Sequence, residues 1–184
     1  MSSDKNVLPQ DIIAFWRAAG PTKWFTKDEA FDLECRRLFL SVYHAAAAGE
    51  LAAWENSPEG TLALLVLLDQ MPRNMFRASP RAYATDPLAL ATAERALALG
   101  YDQKFVPPER GFFYLPFMHS EHLPDQERCV ALYRAARDDY GLTFAEDHAD
   151  IVRRFGRFPH RNAVLGRTTT EEEQTFLDAG GFAG

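Results

Sequence analysis

Apolar residues recur along this chain at helical spacing almost from end to end. Ile12, Ile13, Phe15 and Trp16 mark a helix over 9–19, which Gly20-Pro21 terminates. Thr26-Lys-Asp-Glu29 has the form of a capping box, and Phe31, Leu33, Leu38, Phe39, Val42 and Tyr43 carry the pattern on to Gly49. Ser57-Pro58 opens a third helix whose run Leu62–Leu68 is apolar on every side, the mark of a centrally buried helix, and Pro72 is expected to end it. Asp86-Pro87 starts a helix that closes at Gly100; 101–111 reads as a loop, and the proline-broken stretch 112–118 leaves a short strand open. Further helices are expected over 124–140, ending at Gly141, from a capping box at Thr143-Phe-Ala-Glu146 to Phe155, and from Thr169 or Thr170 through Asp178. Alternating strand pairs with hairpin turns are missing. The pattern predicts an all-α fold of about seven to nine helices in antiparallel pairs. It forms one domain over 1–184, with 1–8 and 180–184 loose.

Composition narrows the function classes. Twenty-six acids against 20 bases give a formal charge of −6, which disfavours a nucleic-acid or anionic-membrane surface. The longest apolar run, Leu62–Leu68, is far short of the roughly 20 residues that span a bilayer, and the first residues lack a secretory pattern. A cytoplasmic protein is expected. Cys35 and Cys129 stand apart inside helical patterns and read as packing thiols in a reducing compartment.

Arginine carries most of the positive charge, 16 residues against 4 lysines, and five of these fall within 153–167 with a histidine and no acid. Arginine's planar fork engages carboxylates and phosphates two oxygens at a time, so such a run clamps an anionic ligand or organises the protein's own carboxylates. Arg153 and Arg154 suit the last turn of a helix, with Gly156 as its left-handed cap. Arg157, His160, Arg161, Asn162 and Arg167 lie beyond the cap, where dipole complementation explains little. Glu171-Glu-Glu173 is placed to absorb some arginines as surface pairs. Asp69 and Gln70 end the most apolar helix, where a carboxylate needs a partner; Arg73 and Arg77 are nearest. His119 and His122, with Glu121, His148 and His160, could supply metal ligands, but their spacing matches no strong signature, and neither a metal nor a cofactor is expected. The nucleophile elbow, the phosphate-binding Gly-rich loop, the dinucleotide fingerprint and His-Glu-x-x-His are all missing.

Phe15-Trp16 with Trp24-Phe25, Leu68-Asp-Gln-Met-Pro-Arg-Asn-Met-Phe-Arg77, Tyr114-Leu-Pro-Phe-Met-His-Ser-Glu121, Arg154-Phe-Gly-Arg-Phe-Pro-His-Arg-Asn162 and Leu165-Gly-Arg167 resemble the signature blocks of the bacterial "domain of unknown function 924" family. The resemblance spans nearly the whole chain and implies a tetratricopeptide-like stack of antiparallel helix pairs, with no activity, ligand or cofactor attached. His122 lies just outside the block.

Three functions follow. In the first, a binding module holds a small anion or a carboxylate-bearing peptide end at Asp69, Gln70, Arg73, Asn74, Arg77, Arg154, Arg157, Arg161, Asn162 and Arg167. In the second, an enzyme uses His119, Glu121 and His160 as acid-base or metal-binding groups on an anionic substrate. In the third, the polar blocks are a buried charge network in a protein-interaction scaffold. The sequence leaves oligomeric state and the choice among these open.

Overall fold

The most apolar helix is the axis of the first half of the chain. In the computed structural model, which describes residues 7–182, that helix begins at the Ser57 cap, whose hydroxyl accepts the Gly60 N–H at 3.1 Å. It runs as α3 (Pro58–Leu65), with Leu62 through Leu68 all buried. Around it lie α1 (Pro9–Trp24), α2 (Glu29–Ala47), α4 (Met71–Met75) and α5 (Asp86–Ala98). α1 and α5 pack on α3, and α2 packs on α4. Every described element is helical or a turn, so the fold is all-α.

Pro72 does not end the axial helix. Val66–Gln70 forms a π turn, in which the Met71 N–H bonds to the Val66 carbonyl, and the helical course continues through Pro72 to Met75. The π turn resolves the conflict a proline creates, because its ring clashes with the carbonyl four residues back and offers no N–H to it. Side chains take over the freed carbonyls. Thr85 Oγ1 donates to Leu68 O at 2.6 Å, and the Arg73 guanidinium donates to Asp69 O. The stop rule for proline fails here because the ladder changes pitch.

Other boundaries shift for local reasons. α2 starts at Glu29, not Thr26: the Asp28 carboxylate accepts from the Ala30 and Phe31 N–H groups, at 3.0 and 3.1 Å. α1 is interrupted at Gly20, and Pro21 restarts it. The 112–118 stretch contains no strand; it is a 3₁₀ turn, Glu109–Phe113, followed by the short α6 (Leu115–Met118).

Two compact units group the described residues: 7–77 with 81–116, and 78–80 with 117–182. The second unit is built on α7 (Leu123–Ala136) and α8 (Asp139–Phe155), joined by Arg137 and Asp138, and completed by α9 (Glu171–Asp178). Across this short connection α8 packs back against α7 as a helix pair. α7 stops earlier than the sequence predicts, at a left-handed Arg137, and Asp138, not Thr143, caps α8 by accepting the Gly141 N–H at 3.0 Å. Gly141 sits inside the first turn of α8 because a Cβ there would lie 2.2 Å from the Tyr133 ring of α7. Close approach, not chain reversal, is its reason. Cys35 and Cys129 are buried and not joined in a disulfide, and burial pushes Cys35 up to about 12. No helix among the described residues is long and apolar enough to cross a membrane.

Candidate functional site

The sequence blocks fall into two charge networks, one in each unit. In the first unit, Asp69 is 1% exposed and accepts the Gln70 side-chain amide at 2.5 Å, with the Arg73 guanidinium 3.5 Å away. Arg73 also grips Asp86, in the first turn of α5, through two bonds of 2.9 and 3.0 Å. Burial works against its charge, but Asp69 and Asp86 outweigh burial and leave its pKa raised. Arg77 is not a partner of Asp69. With Asn74 it holds Asp32 of α2: Arg77 Nε and Nη2 lie 2.7 and 2.9 Å from the two carboxylate oxygens, and Asn74 Nδ2 lies 2.8 Å from Oδ1. These residues of the 68–77 block therefore fasten α3–α4 to α2 and α5.

In the second unit, Gly156 (φ 68°) caps α8 as predicted, and the chain beyond it folds back over its own arginines. Arg153 pairs with Asp150 on the surface, and Arg154 with Glu172 at 2.9 Å. Arg157 Nε and Nη2 clasp Glu173 at 2.6 and 2.8 Å. This is no surface pair, since Glu173 is 2% exposed. The Glu173 carboxylate also accepts the Thr170 N–H at 2.8 Å, closing the capping box of α9, and the Asn162 amide at 3.1 Å. Four donors, led by Arg157, hold its pKa down to about 2. Fully buried Asn162 passes the network on, its oxygen accepting Arg167 Nε at 3.0 Å. Arg167 then grips Glu121 through bonds of 2.7 and 3.0 Å, and Glu121 also accepts the Phe158 N–H at 2.8 Å. Burial favours the neutral acid at Glu121, but Arg167 and the Phe158 amide prevail and keep it ionised. Gln126 braces the turn before Glu121, donating to Met118 O at 2.6 Å and Ser120 O at 2.5 Å.

A second cluster lies on the other side of Phe158. The Arg161 guanidinium donates to His119 O at 3.0 Å and stacks 4.6 Å over the Phe158 ring. His148 and His160 flank the same ring, with centroids 5.5 and 5.7 Å from it, and the Phe182 ring lies 4.5 Å from His148 and 5.1 Å from His160. His148 Nδ1 bonds to Phe144 O at 2.8 Å, which makes Nδ1 the protonated nitrogen of the neutral ring. His160 Nδ1 is buried and has no hydrogen-bond partner among the described residues. Burial, reinforced by Arg161, pushes His160 down to about 3, and burial likewise lowers His148. Both are uncharged at neutral pH. Exposed His122 pairs with Asp125 at 3.6 Å and takes no part. Among the described residues no group of three or more His, Cys, Asp or Glu side chains is arranged to hold a metal ion.

The sequence matches the model of a family described as bacterial protein of unknown function (DUF924) over residues 12–181. The chain belongs to this family. This DUF924 chain is also similar to a solved structure, the protein of unknown function ATU0120 from Agrobacterium tumefaciens, with 48% identity over 96% of this chain and 100% of that one and a TM-score of 0.91. No curated protein matches it.

The buried histidines of the DUF924 chain give its stability a pH signature. Their folded pKa values lie below the ordinary 6.5, so as pH falls the unfolded chain takes up protons first, and stability present above 6.5 is lost on the way down toward 3. The carboxylates Glu121 and Glu173 act the same way only below about 4.5. Urea unfolding followed on second-unit amide signals is therefore expected to show a loss of about 2 kcal/mol or more between pH 7 and pH 5, of which His160→Gln removes about 2 kcal/mol. A flat profile across that window would show that the imidazoles are solvated.

Proposed function

We propose that the protein is a binding module that takes a small anion or a carboxylate-bearing peptide end on its second unit, at Arg161 and the imidazoles of His119, His148 and His160. Arg154, Arg157 and Arg167 form the framework of the second unit around it, and the arginines of the 68–77 block brace the helices of the first unit. The observation that carries the site is the buried Nδ1 of His160, which lacks a hydrogen-bond partner among the described residues inside a cluster that includes a guanidinium. Buried polar atoms rarely go unpaired, so an outside group that satisfies this nitrogen is expected. In a neutral ring protonated at Nδ1, that group is an acceptor oxygen.

Acid-base catalysis by His119, Glu121 and His160 is less well supported. Glu121 is committed to Arg167 and the Phe158 amide, and His160, pushed down to about 3, is too weak a base for work near neutral pH. Titration of the full chain with phosphate and acetate at pH 7, read from the imidazole NMR signals of His148 and His160, tests binding. Saturable, salt-sensitive shifts are expected, with Arg157→Lys, if folded, binding like the wild type. Linear, non-saturating drift with every anion would refute the site.

A further inference from the structure

Phe182 is an aromatic side chain laid against two imidazoles, yet it is 40% exposed, so only part of its ring is buried there. It follows the Ala179 cap of α9 by two glycines, Gly180 and Gly181, and so is carried on backbone outside the helix. Phe182 meets the two imidazoles at interplanar angles of 60° and 83°, the tilted and edge-on arrangements aromatic rings favour, and both imidazoles also contact the Phe158 ring. The chemistry around Phe182 thus has two parts: an aromatic slot between His148 and His160, and, across the Phe158 ring they share, the Arg161 guanidinium, with the buried Nδ1 of His160 in the same cluster.

We infer that Phe182 is a displaceable occupant of this slot and that the ligand is a small aromatic carboxylate. Its ring takes the place of Phe182, and its carboxylate is met by Arg161 and, in the tautomer protonated at Nδ1, by the His160 ring. This inference rests on the binding module proposed above and names its ligand class. An intramolecular occupant lowers the apparent affinity of any ligand that must displace it, by the fraction of time the slot is filled. A ligand without a ring does not compete for the slot and escapes that penalty.

The test is titration of the full chain and of Phe182→Ala with phenylacetate, N-acetylphenylalanine and acetate, read on the His148 and His160 imidazole signals. The expected result is that Phe182→Ala binds both aromatic acids at least about fivefold more tightly, leaves acetate unchanged, and that Phe182→Tyr, which keeps the ring, behaves as the wild type. The ratio of phenylacetate to N-acetylphenylalanine affinity separates a free aromatic acid from a chain end. Phe182→Leu, which removes the ring but keeps an apolar side chain, gives the same comparison if the alanine variant does not fold. Equal affinity of wild type and variant for the aromatic acids, or an equal gain for acetate, overturns the role of Phe182 while leaving the anion site standing. If no acid saturates in either protein, the binding module itself fails and this inference fails with it.

Discussion

Glu173→Ala is expected to destabilise the second unit by about 3–5 kcal/mol, because one carboxylate terminates four donors. Removing it leaves the Arg157 guanidinium with only the neutral Thr168 carbonyl and the Asn162 amide with only Thr169 Oγ1 at 3.4 Å, and opens the capping box of α9. The other anchors of α9 are Phe176, which packs on the Ile151, Val152 and Phe158 cluster with its ring centroid 5.1 Å from that of Phe155, and the exposed Glu172–Arg154 pair. The loss should therefore be local first. Hydrogen exchange should show Glu171–Asp178 losing protection before α7 and α8 do. Glu173→Gln keeps the shape but turns an amide toward Arg157, and should fare little better. A loss under about 1 kcal/mol would place this pair with the exposed Arg154–Glu172 pair, as a surface contact.

Arg73→Ala is expected to cost a similar amount in the first unit, again about 3–5 kcal/mol, for a different reason. Here the side chain left behind is Asp69, 1% exposed on a π turn whose own carbonyl Arg73 also satisfies. Asp86 at the start of α5 loses its two-pronged partner in the same step. Arg73→Lys should recover only part of the loss, since an ammonium cannot reproduce the fork that reaches both acids. Chemical denaturation of the two variants measures the difference, and an Arg73→Lys protein as stable as the wild type would remove the case for a geometric requirement.

The helical class was legible because it rests on local periodicity and caps: the Ser57-Pro58 start and the Gly156 stop stand where the sequence puts them, and Thr170 is the one of the two candidate threonines that caps α9. Pro72 and Gly141 misled for a shared reason. Each is a breaker by local rules, and each is accommodated by something distant in sequence, Thr85 for the π turn and the Tyr133 ring for the first turn of α8. The site residues were legible as an inventory but not as pairs. Asp32 lies 45 residues from Arg77, and Glu121 lies 46 from Arg167; no spacing rule links them. Thr170-x-x-Glu173 was visible as a cap, yet whether its glutamate is solvated or buried under Arg157 depends on how the 156–170 turn folds back. Phe182 gave no signal at all, because a lone aromatic in a glycine-flanked tail has no periodicity to place it.

The most direct measurement is an arginine Nε–H and histidine imidazole NMR titration of the wild type with phenylacetate. Arg157 and Arg167, whose Nε–H groups bond Glu173 and the Asn162 side chain, are expected to stay unmoved while His148 and His160 shift to saturation. Saturable movement of Arg157 or Arg167 with silent histidines would contradict the division between framework arginines and a histidine-lined site.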